Sequence, residues 1–253
     1  MGNLPAHALE LPILTALLAK WRGQYAYSYF HQRFHALKRF LRWAQSFGAP
    51  ATAHQLGRIR RPQPRQVIAT TEERGKLLAA AEPWLRCWIL LCSDLALRFS
   101  EARQIRPSSW NREQHTIRYV KKGGDEYTLP LSDELEQLFA LAPQEDDLPF
   151  IDALHGQRHR RAKSQTISDD AIRNAWERLK AKTHANAELR PHDLRRTTAV
   201  LAYEHTKDIR AVQQLLGHRS LSTTAEYLAH RDTEKLRPLI DALKQKPITE
   251  VKQ

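Results

Sequence analysis

Residues 84–97 constrain this chain more than any other segment. From Trp84 to Leu97 only Arg86, Ser93 and Asp94 interrupt an apolar run. A helix that is apolar on every side has no face to give to water, so it must be wrapped by other elements. The run falls short of the roughly 20 residues that a membrane-spanning helix needs. The expectation is therefore a buried helix over 84–97 at the centre of a helical domain. Candidates for the surrounding layer are legible nearby. Thr70 and Glu73 have capping-box spacing for a helix through about Ala81. Ser168 can cap a helix that carries Ile172, Trp176 and Leu179. Further helices are expected over 194–205 and 208–216. Residues 115–121 and 126–131 form two strands around Gly123-Gly124, a hairpin signal. The fold class is mainly α with a small antiparallel β-sheet, and no internal repeat is visible.

The front of the chain has a different character. Ile13, Leu14, Leu17, Leu18 and Trp21 recur at helical spacing, as do Tyr27, Phe30, Phe34, Leu37 and Leu41. Arg58-Ile59-Arg60-Arg61-Pro62-Gln63-Pro64-Arg65 then breaks the periodicity with two prolines and four arginines. This divides the chain into a short helical domain over 1–61, a basic linker over 62–67 and a larger domain over 68–253, with a tail from about 231. The net charge is +12, and nine of those charges fall in residues 1–65. So uneven an excess argues for a polyanionic partner, nucleic acid ahead of an anionic membrane surface. Arg33, Lys38, Arg39, Arg42, Arg58, Arg60, Arg61 and Arg65 are the candidate DNA contacts. Cys87 and Cys92 fit small buried residues in a reducing compartment, not a zinc site. The first residues have no basic n-region, which argues against a signal peptide. A soluble, cytoplasmic protein is the expectation.

Several residues could carry chemistry. His192 and Arg195 are three apart at a helix start after Pro191, where Asp193 can cap; such a face suits a phosphate, although a charged surface helix has the same pattern. Arg98 follows the apolar run, and Glu101 could hold its guanidinium rigid. Lys122 sits at the hairpin tip, a place where solubilising lysines are also common. His155, Arg158, His159, Arg160, Arg161 and Lys163 suit a basic loop better than a metal site. Across Leu215-Leu216-Gly217-His218, Gly217 can end a helix in the left-handed conformation. Ser222 or Thr223 can cap the next helix, which carries Tyr227. A tyrosine, with a pKa near 10, becomes a nucleophile only if a base takes its proton and cations offset charge on the attacked group. His192 or His218 could be that base, and Arg98 and Arg195 those cations.

The ordered set Arg98, Lys122, His192-x-x-Arg195, His218 and Tyr227 resembles the signature of the tyrosine recombinases, also called the phage integrase family. The flanks match too, in Leu97-Arg98-Phe99-Ser100-Glu101, Lys122-Gly123-Gly124 before Leu129-Pro130-Leu131, and Leu215-Leu216-Gly217-His218. The likeness covers about residues 66–230, with a vaguer match over 8–60. Lys121 and Asp125 stand where the family often has a glycine and a basic residue. Four helices are usual in the family's first domain, and 65 residues leave room for two or three.

The resemblance implies a site-specific DNA recombinase with a covalent 3′-phosphotyrosyl intermediate. Tyr227 would be the nucleophile, His192 its base, and Arg98 and Arg195 the phosphate clamp. Lys122 would protonate the leaving oxygen, His218 would bond the phosphate and Glu101 would brace the site. No metal, cofactor or nucleotide is implied. The partners would be duplex DNA and a homo-tetramer on two sites; residues 231–253 would either pack on their own domain or, as the resemblance favours, dock on a neighbouring protomer. A DNA-binding protein without catalysis and a type IB topoisomerase are the alternatives.

Overall fold

The computed structural model describes residues 10–62, 65–121, 124–144, 147–159 and 166–228, with 157–159 described by backbone alone. Lys122, Arg160, Arg161, Lys163 and the tail from 231 lie outside the described residues. The chain divides into two compact units, Met1–Arg65 and Gln66–Gln253.

The first unit packs α1 (Leu11–Gln24), α2 (Tyr27–Gln45) and a single turn, α3 (Thr52–Gln55). Leu14, Phe30, Phe34, Leu41, Ala53 and Leu56 form its core, with Leu18, Trp21 and Leu37 partly buried against it. Ile13 departs from the expected stripe and is 44% exposed. Leu14 takes the central position one residue later, so the buried face of α1 is rotated and narrower than the apolar residues suggested. Two of the candidate DNA contacts have structural jobs here. The Lys38 ammonium donates to the Leu56 carbonyl at 2.6 Å and so fastens α2 to the end of α3. Arg33 lies against the rings of Trp21, Tyr25 and Tyr29 and donates to the Tyr29 hydroxyl at 2.7 Å. Arg39, Arg42, Arg58, Arg60 and Arg61 are exposed.

In the second unit α4 (Thr71–Ala80) opens on the expected capping box. Thr70 Oγ1 accepts from the Glu73 amide at 3.1 Å, and Glu73 Oε2 accepts from the Thr70 amide at 2.9 Å. Next comes α5 (Pro83–Ser93), whose Cys87, Trp88, Ile89, Leu90 and Leu91 have no exposure. It ends four residues sooner than its apolar run, because Ala96 adopts a left-handed backbone and the Leu97 amide turns back to the Leu91 carbonyl at 3.1 Å. Leu95, Ala96 and Leu97 stay buried as a turn, which hydropathy alone cannot tell from helix. Arg98 thus begins the short α6 (Phe99–Ala102) and does not extend α5.

The sheet is antiparallel in the order β1 (Trp110–Asn111), β2 (Thr116–Val120), β3 (Glu126–Pro130). Val120 faces Glu126 at the hairpin end and Thr116 faces Pro130. The two-residue β1 has no periodicity to announce it. Then follow α7 (Asp133–Leu141), α8 (Phe150–His159), α9 (Asp169–Thr183), α10 (Pro191–Thr206), α11 (Ile209–Leu216) and α12 (Leu221–Leu228). Residues 155–159 belong to α8 and are not a loop; the His155 ring meets Trp84 edge-on, an apolar contact that a basic loop would not make. Ser168 caps α9 as expected, accepting from the Ala171 amide at 3.1 Å. α10 begins three residues before its expected start, with Pro191 in its first turn, a position that needs no N–H.

α5 packs against α7, α8, α9 and α10. Trp88 meets Trp176 edge-on at 5.9 Å, and Phe139 stacks on Phe150 at 3.9 Å. A smaller cluster of Ala96, Ala199, Val212 and Leu216 supports Tyr227 and Leu228. The eight residues of α12 are too few for a helix stable by itself, so this patch sets where Tyr227 stands. The thiols of Cys87 and Cys92 are free, and burial raises the pKa of both.

Candidate active site

Two left-handed turns build the floor. One is Ala96 (φ 52°), after α5; the other is Gly217 (φ 56°), which stops α11. At Gly217 the His218 amide reaches the Gln213 carbonyl at 3.1 Å, and the Gly217 amide reaches Gln214 at 3.0 Å, the Schellman pattern. Both turns offer a carbonyl to one guanidinium. Arg195 Nη1 donates to Ala96 O, and Nη2 donates to Leu216 O at 2.6 Å. Arg195 is 1% exposed, and its Nε has no hydrogen-bond partner. Burial, and next Arg98, lower its pKa.

Glu101 ties the two arginines together. Its Oε1 accepts from Arg98 Nη1 at 2.7 Å, and its Oε2 accepts from the Arg98 amide at 2.8 Å. The same Oε2 lies 3.8 Å from Arg195 Nη1. The Arg98 side chain remains 38% exposed, so it faces an incoming anion while its base is held. Asp193, at the third position of α10, accepts from the Arg190 amide at 2.8 Å and helps fix the turn that presents His192.

His192 Nε2 is hydrogen-bonded to the Tyr227 hydroxyl, and the two rings meet edge-on at 5.6 Å. Burial, and then Arg195, lower the His192 pKa. In the neutral tautomer with its proton on Nδ1, the imidazole accepts at Nε2 and the tyrosine hydroxyl is the donor. His218 packs edge-on against the same tyrosine ring at 5.1 Å. Burial and then Arg195 push its pKa down to about 4. Its Nδ1 is 3.1 Å from Thr224 Oγ1, and its Nε2 is 3.4 Å from Arg195 Nη2. Because a hydroxyl donates or accepts, Thr224 lets the ring present either a lone pair or an N–H at Nε2.

The structure thus brings Arg98, Glu101, His192, Arg195, His218 and Tyr227 into one cluster. Sequence reasoning missed two contributors. The Ala96 carbonyl and the fully buried Thr224 carry no motif. Lys121, the neighbour of the candidate Lys122, is buried at 5% exposure beside the site. Asp125 pairs with Arg219 at 2.9 Å, tying the hairpin to the His218 turn. The cap of α12 also differs from expectation. Ser220 Oγ accepts from the Ser222 amide at 3.2 Å, two residues before the nearer candidate. Among the described residues no group of three His, Cys, Asp or Glu is placed to hold a metal ion, and no helix is long and apolar enough to cross a membrane.

A helical domain that seats a tyrosine hydroxyl on an imidazole, beside a carboxylate-linked arginine pair, has the form of a phosphoryl-transfer site with a protein nucleophile. Residues 61–234 match the phage integrase family, and the chain belongs to it. The tyrosine recombinase XerC of Haemophilus influenzae is 31% identical over 225 residues, covering 83% of this chain and 72% of that protein. XerC of Proteus mirabilis is 28% identical over 224 residues, covering 83% and 70%. Among solved structures, the Tn1549 transposon integrase in complex with circular intermediate DNA superposes with a TM-score of 0.71 at 16% identity, over 94% of this chain and 87% of that one. A lambda integrase dimer bound to a core site gives 0.71 at 19% identity, over 100% and 70%.

Proposed function

We propose that this protein is a site-specific DNA recombinase that cleaves and rejoins duplex DNA through Tyr227. The observation that carries the reading is the Tyr227 hydroxyl hydrogen-bonded to His192, whose pKa is lowered. A protein that only bound DNA would gain nothing from that pairing. Tyr227 Oη attacks phosphorus and passes its proton to His192 Nε2. The bond to the 5′-oxygen breaks, leaving a 3′-phosphotyrosyl link and, once protonated, a free 5′-hydroxyl. Arg98 and Arg195 hold the non-bridging oxygens and offset charge in the transition state. Glu101 keeps the two guanidinia in register, and His218 bonds the phosphate. A 5′-hydroxyl from the partner strand reverses the step, so the bond energy is kept and no nucleotide is consumed. DNA is the substrate, and assembly of four protomers on two sites would bring the strands together.

Incubated with a nicked suicide duplex, the protein is expected to form a detergent-resistant protein–DNA adduct at full yield in EDTA, because arginines do the charge work that metals do in two-metal nucleases. An adduct that needs Mg²⁺ would overturn the mechanism.

DNA affinity is expected to draw on the exposed arginines of the first unit. Arg39→Gln with Arg42→Gln should flatten the log–log salt dependence by about 0.9 per lost phosphate contact, about 1.8 for the pair. Melting temperature should hold, since neither residue makes the kind of bond that Lys38 makes to Leu56. An unchanged slope would reduce these charges to solubilisers.

A further inference from the structure

The departing 5′-oxygen leaves as an alkoxide unless a proton reaches it, so strand cleavage needs a general acid. The family pattern points to Lys122 for that role. We propose instead that Lys121 is the general acid of this protein, an inference that rests on the strand-transfer reading above. Its ammonium is stored beside the phosphate site, and incoming DNA draws it out.

The first observation is the buried amine. Lys121 Nζ is inaccessible and has no hydrogen-bond partner. It lies 3.6 Å from the centroid of the Tyr127 ring, a cation–π seat. Such a charge is costly to keep without an anion. Arg98, Arg195 and Lys121 are three cations here against Glu101 and Asp125, and Asp125 is already paired with Arg219, so a phosphate would supply further anionic charge.

The second observation is the notch that receives the amine. A β-carbon added to Gly217 would stand 1.5 Å from Lys121 Nζ. Gly217 is therefore required twice, for its left-handed backbone and for its bare α-carbon. Lys121 lines a cleft of about 270 Å³ together with Arg98, His218 and Thr223.

The third is the anchoring. The Lys121 amide donates to the Asp125 carbonyl at 2.9 Å, and the Gly124 amide donates to the Lys121 carbonyl at 3.0 Å. The Asp125–Arg219 ion pair then holds this turn to the His218 segment. Asp125 stands where the family often has a basic residue, and here that change of sign makes the pair with Arg219 possible. Burial and then Arg195 lower the Lys121 pKa to about 8, closer to working pH than an ordinary lysine.

In the forward step the electron pair of the breaking P–O5′ bond goes to O5′, which takes a proton from the Lys121 ammonium. In the reverse step the neutral amine takes the proton from the attacking 5′-hydroxyl.

The test is single-turnover cleavage of a suicide duplex with either oxygen or sulfur at the 5′-bridging position, since a thiolate leaves without a proton. Lys121→Ala is expected to be about 10²-fold slow or worse on oxygen and to approach the parent on sulfur. Gly217→Ala, which evicts the amine from its notch, should be slow on oxygen and gain on sulfur as well. Lys122→Ala should stay near the parent on oxygen and gain no more from sulfur than the parent does. If Lys121→Ala fails to bind DNA, Lys121→Met keeps the stem over Tyr127 and takes its place. Sulfur rescue of Lys122→Ala alone would overturn the assignment, as would a Lys121 variant equally slow on both substrates. A parent protein that forms no adduct on either substrate would instead sink the strand-transfer reading itself.

Discussion

Tyr227→Phe is expected to abolish the covalent adduct and strand joining while DNA affinity stays within about twofold, because affinity comes mainly from phosphate contacts. The substitution removes one oxygen and little else. The phenyl ring still packs on His218 and on the Ala96, Ala199, Val212 and Leu216 patch. What is lost is the hydrogen bond to His192, which contributes about 1 kcal/mol and is too little to unfold the domain. The variant should therefore bind and shift DNA as the parent does, and stop there. Adduct from the variant at parental yield would mean that another residue attacks phosphorus, and the mechanism would fall.

The parts of this site that were legible in the sequence are those decided within a few residues. Gly217 ends α11 left-handed because only a residue without a β-carbon takes that backbone freely. Thr70 with Glu73, and Ser168 alone, cap their helices through bonds that span three positions. His192 and Arg195 fall on one side of α10 by helical period. The rest depended on distant partners. Nothing local distinguishes the Ala96 carbonyl as a ligand for Arg195, 99 residues away. Thr224 is one of three hydroxyl residues in a row, and only the packing of α12 decides that it meets His218. Lys121 and Lys122 are adjacent and chemically identical; the strand pairing of Val120 with Glu126 and the turn that follows put the first against Gly217. Hydropathy overran the end of α5 for the same reason, since a buried turn is as apolar as a buried helix. In the first unit a count of arginines and lysines overstated the free charge, because Lys38 and Arg33 are engaged in the fold.

Arg195→Lys should be the most damaging conservative change in the protein, in both rate and stability. Arg195 is held by Ala96 O and Leu216 O, which approach two different nitrogens of one planar group, with Glu101 beside the first. An ammonium is a single point of charge and cannot span both carbonyls. One of them is left buried without a donor, at a cost of about 1–3 kcal/mol. That carbonyl belongs to a turn that positions either Arg98 or His218, so the error spreads to the phosphate clamp. Cleavage should fall about 10²–10³-fold, the range seen when one donor to a developing oxyanion is removed. Arg98→Lys separates the two effects. Its side chain is 38% exposed against 1% for Arg195, and lysine there keeps its charge in reach of Glu101 without stranding a buried carbonyl. It should lose cleavage to a similar degree but melt close to the parent. Single-turnover cleavage and thermal melting on both variants decide the point. If Arg195→Lys melts and cleaves as the parent does, the two left-handed turns do not hold the phosphate clamp through this residue.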